Sequence, residues 1–273
     1  MNASKIDAEL SQLIAADAPS RGVAHAEAPG IRRVVARNAG PMTYHGTNTW
    51  LIDTPAGVTI VDPGPDDPQH VREVATIAGG INGILLTHRH RDHAGGLAAM
   101  RAATGAPVFD HAAFRAGQTL PPALAGWTPI EMPGHAADHL CFARDDGVVL
   151  TGDLVLGWTT GLVDDMAAYI TSLQSLLTRA DRLYLPGHGP PITQPARLVR
   201  ALLHHRLARE AAILGSLAGA PRDIEWLLAR HYPSLDPGLH GAALVNLRAH
   251  LRKLEGHGRI VATPGLWQSS VAV

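Results

Sequence analysis

The sequence predicts a mixed α/β fold with a small helical module at its C-terminal end, and three observations support this prediction. Apolar runs of strand length recur between residues 31 and 185, and longer segments of helical periodicity separate several of them. Several of these runs end beside a glycine, which allows a tight turn. After Pro195 the pattern changes to long helical segments and a short hairpin. The 273 residues suffice for a large and a small domain, which we predict at 1–195 and 196–273.

The periodicities give the elements of the first domain in chain order. A short amphipathic helix is predicted at 4–16. Strands are predicted near 31–37, 49–53, 58–62, 82–86, 106–110, 128–132, 139–144, 147–151 and 182–185. Further helices are predicted near 67–78, 95–104 and 166–179. By themselves these periods indicate only a mixed α/β arrangement.

The predicted second domain begins with one long helix at 196–218, which Gly219-Ala220-Pro221 terminates. Helices near 222–231 and 238–255 follow, and a strand starts at Arg259. This order is similar to a winged helix, and a plain helical cap fits the pattern equally well.

Charge is distributed unevenly along the chain. Residues 196–260 carry ten arginines and lysines against five acidic residues, whereas the whole chain has a formal charge of −1. A basic module beside an acidic domain could hold a phosphate backbone, and it could equally be a solvated helix face. The near-neutral total argues against strong nonspecific binding of nucleic acid.

The densest group of reactive side chains is Thr87-His88-Arg89-His90-Arg91-Asp92-His93, directly after an apolar run. Three imidazoles and one carboxylate fall within six residues. His88 and His90 can face one way at the end of a strand, whereas Asp92 and His93 lie beyond the bend and can face a second ion. Neutral nitrogen combined with hard oxygen suits zinc best and manganese or iron less well.

A metal site needs further ligands from elsewhere in the fold. Three later strand-like runs each end in a glycine followed by a histidine or an aspartate, namely His135, Asp153 and His188. Each would be an ordinary turn by itself. In this order, after the histidine-rich motif, they predict a metal site at the ends of several strands.

These motifs resemble those of the metallo-beta-lactamase superfamily, over residues 40–191. The resemblance implies a four-layer αββα sandwich and a binuclear metal site. The implied ligands are His88, His90 and His135 for the first metal, Asp92, His93 and His188 for the second, and Asp153 as the bridge. We expect Asp92 and Asp153 to be the catalytic carboxylates. Asp62 is expected to orient the metal-binding loop.

The implied chemistry is metal-dependent hydrolysis with a metal-bridging hydroxide as the nucleophile. Two divalent ions about 3.5–4 Å apart can share a hydroxide, and zinc lowers the pKa of bound water to about 7. We expect two Zn²⁺ ions, with manganese or iron as alternatives. The only cysteine, Cys141, is interpreted as a small core residue. His139, Tyr44 and a metal-bound water are candidates for the general acid, and a structural role for His139 is equally open.

Within the superfamily, the sequence resembles the beta-lactamase-like-protein-2 subfamily, whose animal members cleave single-stranded RNA. The matching stretches are 40–49, 135–139, 186–190 and 246–255. Residues 157–161 depart from the pattern beside the expected site. The resemblance therefore implies the substrate class less firmly than it implies the metal ligands.

Two functions follow from these features. One is a phosphodiesterase that cuts single-stranded RNA held by the C-terminal module. The other is a hydrolase of a small-molecule thioester or lactone, with a structural C-terminal module. The face formed by Arg248, Arg252 and Lys253 distinguishes them: orientation toward the metal cleft favours RNA, and packing against the catalytic domain favours a small molecule. A redox role is disfavoured because no flavin-binding or rubredoxin-like segment is present.

The remaining features predict an enzyme of the cytoplasm. The N-terminus lacks a basic start followed by an apolar core, and no apolar run approaches the ~18 residues of a membrane helix. A single cysteine excludes a disulfide framework. We therefore expect no membrane partner, and a homodimer is left open.

Overall fold

The computed structural model describes residues 18–270, so the helix predicted at 4–16 lies outside the described residues. The strands are β1 His25–Ala28, β2 Ile31–Val35, β3 Asn48–Thr54, β4 Gly57–Val61, β5 Ile81–Leu85, β6 Val108–Phe109, β7 Trp127–Glu131, β8 Leu140–Arg144, β9 Val148–Gly152, β10 Leu183–Pro186, β11 Ile260–Thr263 and β12 Leu266–Ser269. The helices are α1 Pro68–Ala78, α2 Arg91–Ala94, α3 Leu97–Thr104, α4 His111–Arg115, α5 Met166–Leu177, α6 Pro195–Ser216, α7 Ile224–His231 and α8 His240–Gly256.

Ten of the described strands form two mixed sheets. The first has the order β1–β2–β3–β4–β5–β6, antiparallel as far as β4 and parallel from β4 to β6. The second has the order β10–β9–β8–β7, in which β9 and β10 are parallel. Parallel neighbours end at the same edge of a sheet, so the loops after β4 and β5, and those after β9 and β10, emerge side by side.

The two sheets pack face to face, and helices cover both outer faces. Trp50 and Leu85 of the first sheet meet Phe142 and Leu150 of the second in a buried apolar cluster. The opposite face of the first sheet packs against α1 and α3, and that of the second packs against α5 and α6. This is the four-layer αββα sandwich that the resemblance implied.

Capping residues determine where the helices on either side of the site begin. The carboxylate of Asp67 accepts the backbone N–H of Gln69 ahead of α1. The carboxylate of Asp165 accepts the N–H groups of Ala167 and Ala168 ahead of α5. Each side chain satisfies donors that have no partner inside the helix, and its replacement by alanine costs about 1 kcal/mol.

The C-terminal module consists of the end of α6, helices α7 and α8, and the antiparallel hairpin β11–β12. Its own apolar core contains Ile213 of α6, Leu227 of α7 and Leu247 of α8. The first half of α6 instead packs on the second sheet through Leu198 and Leu202. Because α6 contributes to both cores, the domain boundary after residue 195 stays a prediction.

The predicted elements between residues 31 and 263 are present, with bounds shifted by a few residues at most. Three short elements were not predicted, namely β1, α2 and α4. β1 has four residues at the edge of its sheet, and α2 spans four residues within the histidine-rich motif. Segments this short contain too little periodicity to distinguish them from turns. No helix in the described part of the chain is long and apolar enough to cross a membrane.

Candidate metal centre

The seven residues predicted as metal ligands lie together where the two sheets meet the loops that follow β5, β7, β9 and β10. Within residues 18–270 they form two groups of potential ligands. The groups are His88, His90 and His135, and Asp92, His93, Asp153 and His188. In each group, one ligand atom per residue lies within 4.8 Å of the others.

The first group is an arrangement of three imidazole nitrogens. His135 Nε2 lies 2.9 Å from His90 Nδ1 and 3.3 Å from His88 Nε2. The Nδ1 of His135 donates to the carbonyl oxygen of Leu162 at 2.8 Å, so its Nε2 carries a lone pair. Lone pairs brought this close repel one another unless a proton or a cation lies between them.

The second group adds carboxylates. His188 Nε2 lies 3.2 Å from Asp92 Oδ2 and 3.3 Å from Asp153 Oδ2. His93 Nε2 lies 3.4 Å from Asp153 Oδ1. Asp153 Oδ2 is also 3.7 Å from His135 Nε2 of the first group. The Asp153 carboxylate therefore lies between the two groups.

These side chains fit divalent cations. Asp153 Oδ1 is buried and has no hydrogen-bond partner among the described residues, which is costly for a carboxylate oxygen in the absence of a cation. The nitrogen and oxygen donors, arranged around it in two groups, match the ligand chemistry of zinc.

The protonation states differ between the two groups. In the second group, the carboxylate of Asp153 outweighs the effect of burial, and the pKa of His93 is raised well above its ordinary value and that of His188 to about 9, so a bound cation would displace their protons. In the first group, the neutral rings suit cation binding directly. Burial lowers the pKa of His88 well below its ordinary value and also lowers the pKa of His135, which favours the neutral imidazoles that bind metals. Burial opposes ionisation of Asp153, but His188 and His93 outweigh it and hold the pKa of this carboxyl well below its ordinary value.

Asp62 orients two of the histidines. Its Oδ1 accepts the backbone N–H of Thr87 at 2.8 Å, and its Oδ2 accepts the Thr87 hydroxyl at 2.7 Å. The same Oδ2 lies 2.8 Å from His93 Nδ1, and the Thr87 oxygen lies 2.9 Å from His88 Nδ1. Both rings are thereby held with Nε2 directed at the ligand groups. Asp62 adopts a φ of 57° to do so, a conformation that few residues other than glycine adopt.

Two glycines allow the ligand loops to approach closely. A Cβ on Gly187 would lie 2.3 Å from Asp153 Oδ1, and one on Gly134 would lie 2.4 Å from Tyr169 Cα. Gly134 also has a φ of 135°. Any side chain at either position would displace His188 or His135, which follow directly.

His139 has a structural position behind the site. Its ring is fully buried, and its Nε2 accepts the backbone N–H of Asp153 at 3.1 Å. Burial holds the pKa of His139 well below its ordinary value. A neutral ring directed at the backbone is poorly placed to protonate a leaving group, which removes one of the candidate general acids.

A cavity of about 180 Å³ opens beside the ligand groups, between the catalytic sandwich and the C-terminal module. His135 and Asp153 are at one end of it. Its apolar lining includes Met42, Leu156, Trp158, Leu162, Tyr232, Leu235, Leu239 and Ala243. Among the described residues that line it there is no lysine or arginine.

An aromatic stack stands at this cavity. The Trp158 ring stacks on Tyr44 with a centroid distance of 5.0 Å and an interplanar angle of 15°, and Tyr44 stacks on His45. Trp158 Nε1 is buried without a hydrogen-bond partner within residues 18–270. Trp158 therefore offers the cavity the surface of its ring rather than a hydrogen-bond donor.

The basic face that distinguishes the two predicted functions is largely engaged within the protein. Arg252 donates to the carbonyl oxygen of Asp164 in the catalytic domain at 2.6 Å. Lys253 Nζ pairs with Glu210 Oε1 at 2.6 Å. Arg248 is exposed.

Comparisons with known proteins establish the family. Residues 42–116 match the family model of the metallo-beta-lactamase superfamily. An atrochrysone carboxyl ACP thioesterase of Aspergillus novofumigatus is 30% identical over 261 residues, which cover 85% of this chain and 80% of that protein. The chain belongs to the metallo-beta-lactamase superfamily. The members of this superfamily are metal-dependent hydrolases, and the chain is one of them.

Further comparisons extend the metallo-beta-lactamase match to the C-terminal module. Residues 224–267 match the beta-lactamase associated winged helix domain, so the module is a winged helix and the plain helical cap is excluded. A beta-lactamase-like protein 2 homolog of Drosophila melanogaster is 28% identical over 262 residues, covering 84% of this chain and 88% of that one. A beta-lactamase domain protein of Burkholderia ambifaria has the same fold, with a TM-score of 0.76 at 22% identity over 93% of this chain and 96% of that one.

The sequence did not predict that the winged helix of this protein contributes to the candidate site. Tyr232, Leu235 and Leu239 line the cavity from the C-terminal side, and Asn246 hydrogen-bonds to residues of the catalytic domain. No local pattern in the sequence indicates these contacts, because each of them joins segments more than 70 residues apart.

Proposed function

We propose that this metal-dependent hydrolase cleaves the thioester of an apolar acyl group, with a lactone as the related alternative substrate. The observation that carries the proposal is the apolar cavity that ends at His135 and Asp153 and has no basic side chain among its described lining residues. An acyl chain or ring in this cavity would bring its carbonyl carbon to the ligand groups.

The residues at the ligand groups have separate roles in this proposal. Two divalent cations, zinc by the donor set, would polarise the scissile carbonyl and supply activated water near neutral pH. Their proposed ligands are His88, His90 and His135 for the first, and Asp92, His93 and His188 for the second, with Asp153 shared. Asp92 and Asp153 would supply negative charge to balance the two cations. Asp62 and Thr87 keep the rings of His88 and His93 directed at them.

The cavity walls would orient the acyl group and keep water away from it. Leu156, Leu162 and Leu239 present apolar surface to the acyl group and exclude water from it. The ring of Trp158 adds aromatic surface to the same wall.

Two further observations support a thioester over RNA. One relative is named a thioesterase and aligns over most of both chains. Of the three basic residues whose orientation distinguishes the two functions, Arg252 is engaged by Asp164 and Lys253 by Glu210. Phosphodiester substrates need cationic side chains along the strand, whereas the cavity beside the ligand groups is apolar. Cleavage of single-stranded RNA stays an untested prediction.

The identity of the metal is part of the same proposal. We propose zinc as the metal, with manganese or iron as alternatives that the same donors accept. The domain boundary after residue 195, a cytoplasmic location and a homodimer as the possible assembly stay predictions from the sequence.

The test compares substrates on one enzyme preparation. Wild type and Asp153→Asn are loaded with zinc or manganese and assayed on acyl thioesters of increasing chain length, on lactones and on labelled single-stranded RNA. We expect metal-dependent thioester turnover that rises with the apolar size of the acyl group and is lost in Asp153→Asn. Asp145→Asn is the matched control, because this exposed carboxylate lies in the turn between β8 and β9, at the opposite end of β9 from Asp153. Metal-dependent RNA cleavage without thioester or lactone turnover would refute the proposal.

A further inference from the structure

Two helices, α6 and α8, hold one loop of the catalytic domain, residues 160–164, through hydrogen bonds to the backbone of that loop. Arg206 of α6 donates to the carbonyl oxygens of Thr160 and Gly161, the latter at 2.8 Å. Asn246 of α8 donates to Gly161 O at 3.1 Å. Arg206 and Asn246 are both at least nine-tenths buried, so these hydrogen bonds form away from solvent.

Asn246 makes a two-point contact with this 160–164 loop. Its Nδ2 donates to Gly161 O, and its Oδ1 accepts the backbone N–H of Val163 at 2.9 Å. The two contacts lie on either side of Leu162. An amide is the side chain suited to this task, because it offers a donor and an acceptor from one rigid plane.

Leu162 connects this contact to the ligand groups. Its carbonyl oxygen accepts from His135 Nδ1 at 2.8 Å. The next residues, Asp164 and Asp165, donate their backbone N–H groups to Gly134 O at 2.9 and 3.0 Å. The 160–164 loop therefore sets both the ring orientation of His135 and the backbone immediately before it.

We propose that Asn246 is a positioning residue that acts across the domain interface. By fixing the peptide groups on both sides of Leu162, it fixes the carbonyl oxygen that holds His135 in the Nδ1–H tautomer, with the Nε2 lone pair directed at His88 and His90. The winged helix thereby contributes to cation binding at the first ligand group without supplying a ligand. This inference rests on the proposed metal centre.

The experiment measures metal binding rather than turnover, since Asn246 also lines the cavity and could affect activity through the substrate. The full chain without metal is titrated with Co²⁺ and followed by its visible absorption. Loss of a hydrogen-bond partner behind a metal ligand costs about 10–100-fold in affinity. We therefore expect Asn246→Ala to weaken one of two Co²⁺ binding steps by about tenfold or more, and to leave the other unchanged.

Two variants control for packing. Asn246→Asp retains the size of the side chain and the acceptor for Val163, but it loses the donor to Gly161, so the same step weakens even if Asn246→Ala does not fold. Arg248→Ala, at an exposed position two residues along α8, should bind Co²⁺ as wild type does. In wild type, ¹⁵N NMR of the imidazoles should show the protonated Nδ1 of His135, and the Asn246 variants should show mixed tautomers.

The outcomes separate this inference from the proposed function. Unchanged Co²⁺ binding in both Asn246 variants, with wild type binding two ions, would overturn the positioning role alone. A wild-type chain that binds no Co²⁺ would overturn the metal centre and this inference together.

Discussion

His139 Nε2 accepts the backbone N–H of Asp153 at 3.1 Å, so a fully buried ring lies directly behind the carboxylate that both ligand groups share. Gly152, the residue before Asp153, passes so near that a Cβ there would lie 2.6 Å from the same nitrogen. The position of Asp153 therefore depends on an interaction within the protein as well as on the cations that we propose beside it.

His139→Ala should destabilise the protein and misplace Asp153. The substitution leaves the buried N–H of Asp153 without an acceptor, which costs about 1–3 kcal/mol, and a cavity in place of the ring adds to this. We expect the free energy of unfolding to fall by about 3 kcal/mol, with weaker metal binding. Urea denaturation of the metal-free protein measures the first effect. The control is His257→Ala in an exposed turn, and similar midpoints for both variants would contradict the structural role of His139.

Gly187→Ala should abolish metal binding while the sandwich still folds. The new methyl group would lie 2.3 Å from Asp153 Oδ1 and 2.6 Å from His93 Cε1, so these two members of the second ligand group cannot keep their positions. Gly215→Ala is the matched control, because Gly215 lies within α6 and has no atom near the added Cβ. It should instead stabilise the helix by about 1 kcal/mol. The metal content of both variants measures metal binding, and their circular dichroism measures folding. A Gly187→Ala chain with full metal content would refute the expectation.

Trp158→Ala should raise KM selectively for substrates with a large apolar acyl group. Removal of the indole deletes one wall of the cavity, and about 60 Å² of lost apolar contact corresponds to roughly tenfold in binding. Trp158→Phe retains a ring that can stack on Tyr44 and should have a smaller effect, because most of the aromatic wall remains. An acetyl thioester, too short to fill the cavity, and Trp226→Ala on the exposed side of α7 serve as controls. Equal losses on acetyl and long-chain substrates would exclude Trp158 from the acyl site.

The two groups of potential ligands were the most predictable part of this molecule, because the structure brings together the seven residues that the sequence predicted. These residues follow short strands, so the local sequence from His88 to His93 already contains most of the information about one edge of the first sheet. The second sheet adds His135, Asp153 and His188 by the same pattern. Each of these signals is local, and the fold brings the loops together because strands of a sandwich end at shared edges.

The interface with the winged helix could not be predicted in this way. The leucine spacing around Asn246 predicts the helix but not the partner of the amide. Arg206 was counted among the basic residues of a module that could hold a phosphate backbone. The structure instead buries Arg206 over the Tyr169 ring and against the 160–164 loop. Hydrogen bonds of this kind depend on the relative placement of two domains, about which periodicity contains no information.

His70 should make the protein less stable in mild acid. Burial lowers its pKa to about 4, although Asp67 and Glu73 oppose the shift and Arg37 adds to it. The ordinary pKa of about 6.5 returns on unfolding, so between pH 6.5 and 4 the unfolded chain binds a proton that the folded chain does not. Stability from this residue is complete above pH 6.5 and falls by about 3 kcal/mol as the pH drops to 4.

The contribution of His70 is measured by comparing how the free energy of unfolding depends on pH in wild type and in a variant that lacks this histidine. His250 changes stability in the same direction, since burial also lowers its pKa to about 4, whereas His93 and His188, whose pKa values are raised, act in the opposite direction. His70→Gln can keep the contact with the Thr49 hydroxyl, which lies 2.8 Å from His70 Nε2, but it has no group that titrates. Its free energy of unfolding should therefore decline less steeply than that of wild type between pH 6.5 and 4, whereas His257→Gln should follow wild type. Parallel curves for wild type and His70→Gln would mean that His70 binds its proton equally well in the folded and unfolded chains.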